Sequence, residues 1–375
     1  MTLLLEEGKD IEIKQHGSYA IVAITKHGVE LARKLHSVFQ TGDLYYMSKF
    51  QKGDEEKQGI QMFDGSVRLL LPSLFQAYKG IIMIISLGAV VRMVAPILKD
   101  KKTDPGVVVI DDKGEHVISV LSGHLGGANE LTREIAELLG AKPVITTASD
   151  VQKTIPVDLF GKRFGWVWES ADKLTPVSAS VVNEEHIAVI QESGEKGWWT
   201  YDRPLPDNIK IYASIEQALP HAPHAALVVT HRNLLPEEEA ILDNGVLYRP
   251  KVIVLGIGCN RDTGSSEIED VIIKTLNELN FSLKSVKAVC TIDLKKDEEG
   301  LLDIVQKYGW EFHYYTPEEL NAVSLQQPSD TVYKFTGAYG VSEPAALLYS
   351  RAHELELVKK KSGNVTISVA VIPSR

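Results

Sequence analysis

Three polar side chains, Ser122, His124 and Asn129, fall within one glycine-rich stretch, Ser-Gly-His-Leu-Gly-Gly-Ala-Asn at 122–129. A histidine ring has an ordinary pKa near ~6.5, so His124 could act as a general base at neutral pH. Glycines adopt backbone conformations that other residues rarely adopt, and they let a ligand approach backbone N–H groups. The stretch could therefore activate water and stabilise an oxyanion. It could also be a tight turn with a hydrogen-bonded histidine and an asparagine cap.

The elements on either side of this stretch suit the chemical interpretation. An apolar run over 116–121 predicts a strand, and aliphatic residues at helical spacing over 131–139, followed by Gly140, predict a helix. The stretch would then join a buried strand to a helix N-terminus, where unpaired N–H groups and the helix dipole favour an anion. We expect the backbone N–H groups of residues 126–129, which include Gly126, Gly127 and Asn129, to make no hydrogen bonds within the protein.

Short β-rich runs alternate with amphipathic segments along the first 150 residues. The run at 81–86, Ile-Ile-Met-Ile-Ile-Ser, is apolar without alternation, which is typical of a parallel strand covered on both faces. This organisation predicts the α/β class. We predict three consecutive α/β units: an open, mostly parallel sheet with covering helices over 1–150, a small middle domain over 151–250, and an α/β domain over 251–375.

Two cationic residues of the first unit are candidates for binding an anion. Arg92 follows Gly88 near the start of a predicted helix and could bind a carboxylate bidentately, although a surface arginine is an equally good interpretation. Lys102 belongs to the charged loop at 99–105. In a simple parallel topology that loop would lie at the sheet edge opposite the glycine-rich stretch, so a solvated loop is the default interpretation.

The C-terminal unit carries further candidates where predicted strands end. Cys259 and Asn260 close a Gly-Ile-Gly-Cys-Asn run that begins like a dinucleotide fingerprint, but Arg261 stands where the third glycine would be. A small buried residue is the favoured interpretation of Cys259, whereas Arg261 could bind an anion. Thr291 ends a strand and could be a polar site group or an ordinary cap.

Ser342 and Glu343 precede a predicted helix that contains Pro344 in its first turn. The simplest role for Ser342 is to cap that helix. Glu343 would then complement the helix dipole.

Composition excludes several classes of function. The formal net charge of −10 argues against broad binding to nucleic acid or to an anionic membrane. No apolar segment reaches the ~18–20 residues that would span a membrane. Two cysteines are too few for a disulfide framework or a cysteine metal cage, so we expect a cytoplasmic protein with no metal site of its own.

Several long motifs, taken in order, identify a family. The segments at 88–96, 100–112, 122–129 and 143–148 resemble the N-terminal part of CbiG, the cobalt-precorrin-5A hydrolases of anaerobic cobalamin biosynthesis. The segments at 256–261, 291–295 and 340–347 resemble the C-terminal domain shared by CbiG and CobE. The resemblance covers nearly the whole chain, and it is least distinctive in the middle domain.

The resemblance implies a tetrapyrrole substrate, cobalt-precorrin-5A, whose ring A acetate δ-lactone is hydrolysed and whose two-carbon unit leaves as acetaldehyde. The cobalt would arrive within the substrate, so no cofactor is expected. His124, Asn129 and Ser122 become the catalytic candidates. The candidates for binding the substrate and its carboxylate arms are Arg92, Lys102, Gly126, Gly127, Cys259, Asn260, Arg261, Thr291, Ser342 and Glu343.

Two rival functions remain open at this point. A non-catalytic corrinoid carrier would need only the CobE-like part and not the stretch at 122–129. A nucleotide-binding oxidoreductase is suggested only by the run at 256–260. The sequence leaves open whether the site lies in one domain or between two, and whether the chain forms a homodimer.

Overall fold

The computed structural model describes residues 2–5 and 11–374. The chain divides into two compact units, Met1–Leu159 and Phe160–Arg375. The first unit contains one sheet and the second contains two. The prediction of the α/β class with a mostly parallel N-terminal sheet is confirmed, and the three sheets follow one another along the chain.

The first unit is built on an eight-stranded sheet with the order β1-β4-β3-β2-β5-β6-β7-β8. Its strands are β1 (Thr2–Leu4), β2 (Tyr19–Ala23), β3 (Gly42–Met47), β4 (Gln61–Asp64), β5 (Gly80–Ile84), β6 (Gly106–Ile110), β7 (His116–Leu121) and β8 (Lys142–Val144). Its helices are α1 (Lys26–Val38), α2 (Val67–Ala77), α3 (Leu87–Val94), α4 (Ala128–Leu139) and α5 (Ala148–Gln152).

Both faces of this sheet are covered, as the apolar run at 81–86 predicts. Side chains of β5 alternate between the two faces: Ile82 and Ile84 pack with α1 and α4, whereas Ile81 and Met83 pack with α2 and α3. All four are essentially inaccessible to solvent. Burying an aliphatic side chain of this size contributes about 1.5–3 kcal/mol to the stability of the fold. The hydrophobic cores on the two faces therefore fix the sheet between its helices.

One hairpin reverses the direction of the sheet. Strands β1 to β6 are mutually parallel, but β7 pairs antiparallel with β6, so that Leu121 lies opposite Val107. The turn is closed by Asp111, whose carboxylate accepts the amides of Lys113 at 3.0 Å and His116 at 2.5 Å. Because β8 is parallel to β7, both strands end at the edge where β5 and β6 begin.

The second unit begins with a five-stranded sheet of order β11-β10-β12-β13-β9, which is parallel except for the antiparallel edge strand β9. Its strands are β9 (Val167–Trp168), β10 (Ile187–Gln191), β11 (Ile209–Tyr212), β12 (Ala225–Val229) and β13 (Gly245–Arg249). Its helices are α6 (Leu174–Val182) and α7 (Ile215–Ala218).

The last sheet has the order β16-β15-β14-β18-β17, in which β14, β15 and β16 are parallel and β18 is antiparallel to both of its neighbours. Its strands are β14 (Ile253–Cys259), β15 (Val286–Ile292), β16 (Glu311–Tyr315), β17 (Leu357–Ser362) and β18 (Val365–Val371). The helices are α8 (Ser265–Glu278), α9 (Glu299–Tyr308), α10 (Pro317–Asn321), α11 (Asp330–Thr336) and α12 (Ser342–Ser350).

Helix α12 lies very close to this sheet because glycine replaces a side chain beneath it. A Cβ atom at Gly256 of β14 would stand 1.8 Å from the carbonyl oxygen of Ser342. Ala345 and Ala346 continue the close packing along the same helix. The N-terminal turn of α12 is therefore held near the carboxyl ends of the parallel strands.

Candidate active site

The glycine-rich loop at 122–127 connects β7 to α4, as predicted. Ser122 has φ of 54° and Gly127, which caps the helix, has φ of 77°. A left-handed conformation is uncommon for serine, and such outliers cluster at functional sites. The Ser122 hydroxyl has no hydrogen-bond partner within the described part of the chain.

The loop satisfies its own amides. The N–H groups of Gly127, Ala128 and Asn129 donate to the carbonyl oxygens of His124, Ser122 and Gly123, at 3.0, 3.2 and 2.9 Å. The prediction of free amides is therefore wrong for these three residues, because the left-handed turns direct the loop's carbonyls toward the start of the helix. The Gly126 amide has no acceptor among residues 2–5 and 11–374.

His124 lies between two carboxylates. Its Nδ1 atom is 2.8 Å from Asp158 Oδ1, and its Nε2 atom is 3.0 Å from Asp150 Oδ2. The hydroxyl oxygen of Ser149 is 3.2 Å from the same Nε2 atom. The side chain of His124 is 15% exposed. With a carboxylate at each nitrogen, the ring has two acceptors and is set up to donate from both nitrogens as an imidazolium.

The electrostatics agree with that geometry. Burial disfavours the charged ring, but the hydrogen bonds to Asp150 and Asp158 outweigh it and raise the pKa of His124 to about 9. Asp150 accepts hydrogen bonds from His124 and from Arg133, and these lower the pKa of its carboxyl group to about 2. The resting cluster at neutral pH therefore contains an imidazolium, which is a proton donor and not a base in this state.

The two aspartates have different surroundings. Asp150 accepts hydrogen bonds at Oδ2 from His124 and from Asn129 Nδ2, at 3.0 and 2.9 Å, and at Oδ1 from Arg133. Asp158 accepts only the bond from His124 within the described residues, which leaves its Oδ2 atom without a donor. Asp150 is thus fixed in place, whereas Asp158 retains an oxygen that can accept a proton.

Asn129 orients Asp150 and does not cap the helix. It is buried in the first turn of α4, where its Oδ1 accepts from the Ser119 hydroxyl at 2.6 Å. Its Nδ2 donates to Thr147 Oγ1 and Asp150 Oδ2, both at 2.9 Å. A Cβ atom at Gly123 would stand 2.7 Å from Asn129 Oδ1, so this glycine makes room for the asparagine.

Sequence reasoning missed Asp150, Asp158 and Arg133. Asp150 was within reach, because Thr147-Ala148-Ser149-Asp150 follows β8, which runs beside β7 and ends at the same edge. Asp158 carried no local signal, since it lies 34 residues from His124 in an irregular segment.

Lys102 lies at the same edge of the sheet as His124. The carbonyl oxygen of Asp104, in the loop of Lys102, stands 3.1 Å from the position of a Cβ at Gly126. The prediction that the loop of Lys102 lies at the edge opposite the glycine-rich stretch is therefore wrong. The antiparallel direction of β7 brings the glycine loop to the edge where β6 begins.

Arg92 is not brought to this site. It lies on α3, which follows the carboxyl end of β5, at the opposite edge of the sheet from His124. Its guanidinium donates to the carbonyl oxygen of Gly88 at 3.0 Å, within its own helix.

The candidates at the end of β14 are engaged with their neighbours. Cys259 is half-buried and not fully buried as predicted, and this burial raises the pKa of its thiol to about 11, which disfavours the thiolate that a nucleophile needs. Asn260 pairs with Asn364, its Nδ2 donating to Oδ1 at 2.7 Å. Arg261 donates to Asp297 at 2.8 Å and to the carbonyl of Leu294 at 3.0 Å, so its guanidinium is already paired.

Of the remaining three candidates, Thr291 and Ser342 are hydrogen-bonded to neighbouring residues, whereas Glu343 is not. Thr291 is buried and donates to the carbonyl of Ile257 at 2.6 Å. Ser342 does not cap α12, since Val341 occupies the cap position and the Ser342 hydroxyl pairs with that of Ser368 at 2.9 Å. Glu343 is only 6% exposed, and its carboxyl group has no hydrogen-bond partner among the described residues.

The residues that the structure describes include neither a metal-binding cluster nor a membrane-spanning helix. Within residues 2–5 and 11–374, no group of three or more histidine, cysteine or acidic side chains is placed to hold a metal ion. None of the helices in those ranges is both long enough and apolar enough to cross a membrane.

Comparison with known proteins decides the family. Three family models match in order: Cobalamin synthesis G N-terminal over 70–150, Cobalamin biosynthesis central region over 155–250 and Cobalamin synthesis G C-terminus over 253–370. A cobalt-precorrin-5A hydrolase of Priestia megaterium is 76% identical over 369 residues, which cover 98% of this chain and 99% of the relative. The chain belongs to the CbiG family. The expected resemblance is therefore confirmed.

More distant CbiG relatives and a CobE protein also match. The cobalt-precorrin-5A hydrolase of Salmonella typhimurium is 32% identical over 363 residues, covering 94% of this chain and 98% of the relative. Protein CobE of Sinorhizobium is 28% identical over 121 residues, which cover 32% of this chain and 79% of CobE. This match confirms the predicted resemblance of part of the chain to CobE.

Proposed function

We propose that this chain is a cobalt-precorrin-5A hydrolase, which opens the ring A acetate δ-lactone and releases the two-carbon unit as acetaldehyde to give cobalt-precorrin-5B. The observation that carries this proposal is 76% identity to a curated hydrolase over 98% of the chain. The cobalt belongs to the substrate, and we assign no further cofactor to the protein.

Lactone hydrolysis needs three things from a protein: an acceptor for a proton of the attacking water, a donor for the oxyanion, and a proton for the leaving oxygen. The cluster around His124 offers all three types of group. Asp158 has an oxygen without a donor, the Gly126 amide has no acceptor among the described residues, and His124 holds a donatable proton. We therefore assign catalysis to this cluster in the first unit.

The first step places the water proton on Asp158 while the oxygen attacks the lactone carbonyl. The tetrahedral oxyanion is stabilised by the Gly126 amide, with the Ser122 hydroxyl as a second donor. As the acyl–oxygen bond breaks, His124 gives its proton to the leaving oxygen and becomes neutral. The products of this step are a carboxylic acid, which ionises, and a hydroxyethyl group on the macrocycle.

The second step uses the neutral ring that the first step leaves behind. His124 takes back the proton of the hydroxyl group while the bond between carbon and macrocycle breaks, and acetaldehyde departs. The electron pair passes to the conjugated, metallated macrocycle, which is then protonated from Asp158. His124 thus acts first as an acid and then as a base, so the predicted base role applies to the second step.

Substrate binding requires cations or N–H groups for several acetate and propionate arms. We assign Lys102 to one such arm, because its loop packs against the glycine loop at the edge that carries His124. Arg92 receives no such role because it lies at the opposite edge. Arg261 receives none because its guanidinium is paired.

A direct assay separates this function from a corrinoid carrier. Purified full-length chain is mixed with cobalt-precorrin-5A, and acetaldehyde is measured with an alcohol dehydrogenase and reduced nicotinamide cofactor. The hydrolase releases one acetaldehyde for each substrate molecule, whereas a carrier binds the substrate and releases none. Part of this chain resembles CobE, but that similarity covers only 32% of it, and His124, Asn129 and Asp150 lie in the region of the Cobalamin synthesis G N-terminal model.

A further inference from the structure

The two ring nitrogens of His124 have different surroundings. Nε2 lies 3.0 Å from Asp150 Oδ2 and 3.2 Å from the hydroxyl oxygen of Ser149, which is 6% exposed. Nδ1 lies 2.8 Å from Asp158 Oδ1, and the other oxygen of Asp158 has no donor within the described residues. Nε2 is therefore enclosed by protein groups, whereas Nδ1 adjoins the carboxylate that retains a free acceptor.

Asp150 is held by donors at both of its oxygens. Asn129 Nδ2 donates to Oδ2 at 2.9 Å, and the Arg133 guanidinium donates to Oδ1 through Nη2. Asn129 and Arg133 lie on adjacent turns of α4, so one helix supplies both donors. The bond from His124, and then that from Arg133, lower the pKa of Asp150 to about 2 against the effect of burial. Arg133 is thus the second cation that keeps this carboxylate ionised.

The charge on Asp150 decides which tautomer a neutral His124 adopts. Without a hydrogen, Nε2 would direct its lone pair at an ionised carboxylate 3.0 Å away, and the two would repel. With the hydrogen on Nε2, this nitrogen donates to Asp150 and the lone pair lies on Nδ1. Nδ1 then faces Asp158, which holds the proton of the attacking water after the first proposed step.

We propose that Nδ1 is the nitrogen of His124 that gives and takes the proton, and that Arg133 fixes this choice by keeping Asp150 ionised at Nε2. In the first step, the Nδ1–H bond breaks as an O–H bond forms on the leaving oxygen. This proton is released because Asp158, once protonated, is a weaker acceptor for it. In the second step, the Nδ1 lone pair takes the proton of the hydroxyl group. These steps rest on the proposed hydrolase function, whereas the tautomer is a property of the free protein.

Arg133 acts through Asp150 and is therefore a positioning residue. The charged groups whose fields reach His124 are Asp150 and Asp158, and those that reach Asp150 are His124 and Arg133. The charged loop at 99–105 packs against the glycine loop, but none of its described side chains forms an ion pair with these residues. Arg133 makes a single N–H···O bond to Asp150, so a lysine ammonium can take its place.

The tautomer is measured on the free protein by nitrogen nuclear magnetic resonance of isotope-labelled histidine rings, with the His124 signals assigned by their loss in His124→Gln. Above a pH of about 9, where the ring loses its charge, the wild-type ring should carry its hydrogen on Nε2. Asp150→Asn should reverse this, because Arg133 retains the single oxygen of the amide and turns its NH2 group toward Nε2. A wild-type hydrogen on Nδ1, or an Asp150→Asn variant with its hydrogen on Nε2, would overturn the proposal.

The role of Arg133 is measured with Arg133→Met and Arg133→Lys. Without the guanidinium, Asp150 directs its whole charge at the ring, so Arg133→Met should raise the pKa of His124 by up to about one pH unit. A merely structural role has the opposite sign, because a loosened Asp150 would let that pKa fall toward 6.5. In Arg133→Met, kcat for acetaldehyde release should fall by about tenfold at neutral pH, since a less acidic ring is a poorer proton donor. Arg133→Lys should keep the wild-type pKa and most of kcat.

Arg68→Met is the matched control, because it removes the same charge from the exposed side of α2, on the other face of the sheet. It should change neither the pKa of His124 nor kcat. The role of Arg133 is refuted by a pKa of His124 that falls or stays unchanged in Arg133→Met, or by an Arg133→Lys variant no better than Arg133→Met. Absence of acetaldehyde release from the wild type would instead refute the proposed function, while the tautomer and the pKa would still decide the role of Arg133.

Discussion

The substitution Asp158→Asn tests the charge state of His124 directly. It removes one of two carboxylates from the ring while keeping the shape of the side chain. The rise in the pKa of His124 from 6.5 to about 9 corresponds to about 3 kcal/mol of preference for the imidazolium. Asp150 also binds Arg133 and Asn129, so its charge is shared, whereas Asp158 binds only His124 among the described residues. We expect Asp158 to supply about half of this preference, or about 1.5 kcal/mol.

The expected result is a fall of about one unit in the pKa of His124, which a nuclear magnetic resonance titration of the isotope-labelled ring would measure. Stability should follow with a defined sign. A histidine whose pKa is raised in the fold stabilises the protein fully below its unfolded pKa of ~6.5, and this contribution is lost as pH rises through about 9. The free energy of unfolding of the wild type should therefore decrease over that interval, by at most about 3 kcal/mol, and that of Asp158→Asn by about half as much.

Activity gives the second half of this prediction. Asp158→Asn also removes the proposed proton acceptor for water, so kcat for acetaldehyde release should fall by about 10²–10⁴. Glu137→Gln, on the exposed face of α4, is the control and should change neither the pKa of His124 nor kcat. A wild-type pKa of His124 near 6.5, or an Asp158→Asn variant that leaves it unchanged, would refute the reasoning.

Two further predictions use other parts of the first unit. Gly123→Ala places a methyl group 2.7 Å from Asn129 Oδ1 and should reduce activity and stability, whereas Gly127→Ala has open space and should cost only about 1 kcal/mol of backbone strain. The two variants are compared by thermal unfolding and by acetaldehyde release. Greater loss of stability or activity in Gly127→Ala than in Gly123→Ala would contradict the prediction. Arg92→Met should leave the KM for cobalt-precorrin-5A unchanged, because Arg92 lies at the opposite edge from His124. A several-fold rise in KM would place Arg92 in the substrate site.

The sequence predicted the strand, loop and helix around His124 because each depends on local pattern. An apolar run, a glycine cluster and aliphatic residues at helical spacing are adjacent in the chain, and the structure places β7, the loop and α4 over them. The apolar run at 81–86 likewise predicted a strand that is covered on both faces. These features need no knowledge of distant residues.

The direction of β7 was the decisive feature that local pattern did not settle. A single reversal at the turn of Asp111 moves the glycine loop to the edge where β5 and β6 begin. It brings the loop of Lys102 to His124 and leaves Arg92 at the other edge. Had the short turn at 111–115 been used to set the direction of β7, both placements would have followed.

The partners of His124 and the state of the loop amides depend on tertiary structure. Asp150 and Asp158 lie 26 and 34 residues from His124, and the parallel pairing of β8 with β7 brings Asp150 to it. The loop amides are bonded internally because Ser122 adopts a left-handed conformation that is rare for serine. Neither property is visible in residue type or spacing.

The central claim is that His124 transfers protons during hydrolysis of cobalt-precorrin-5A. Acetaldehyde release by the purified full-length chain, measured in parallel for wild type and His124→Gln at saturating substrate, tests it most directly. We predict one acetaldehyde per substrate for the wild type, and a loss of kcat of about 10²–10⁴ in the variant with cobalt-precorrin-5B still bound. Wild-type rates from His124→Gln, or no acetaldehyde from the wild type, would contradict the claim.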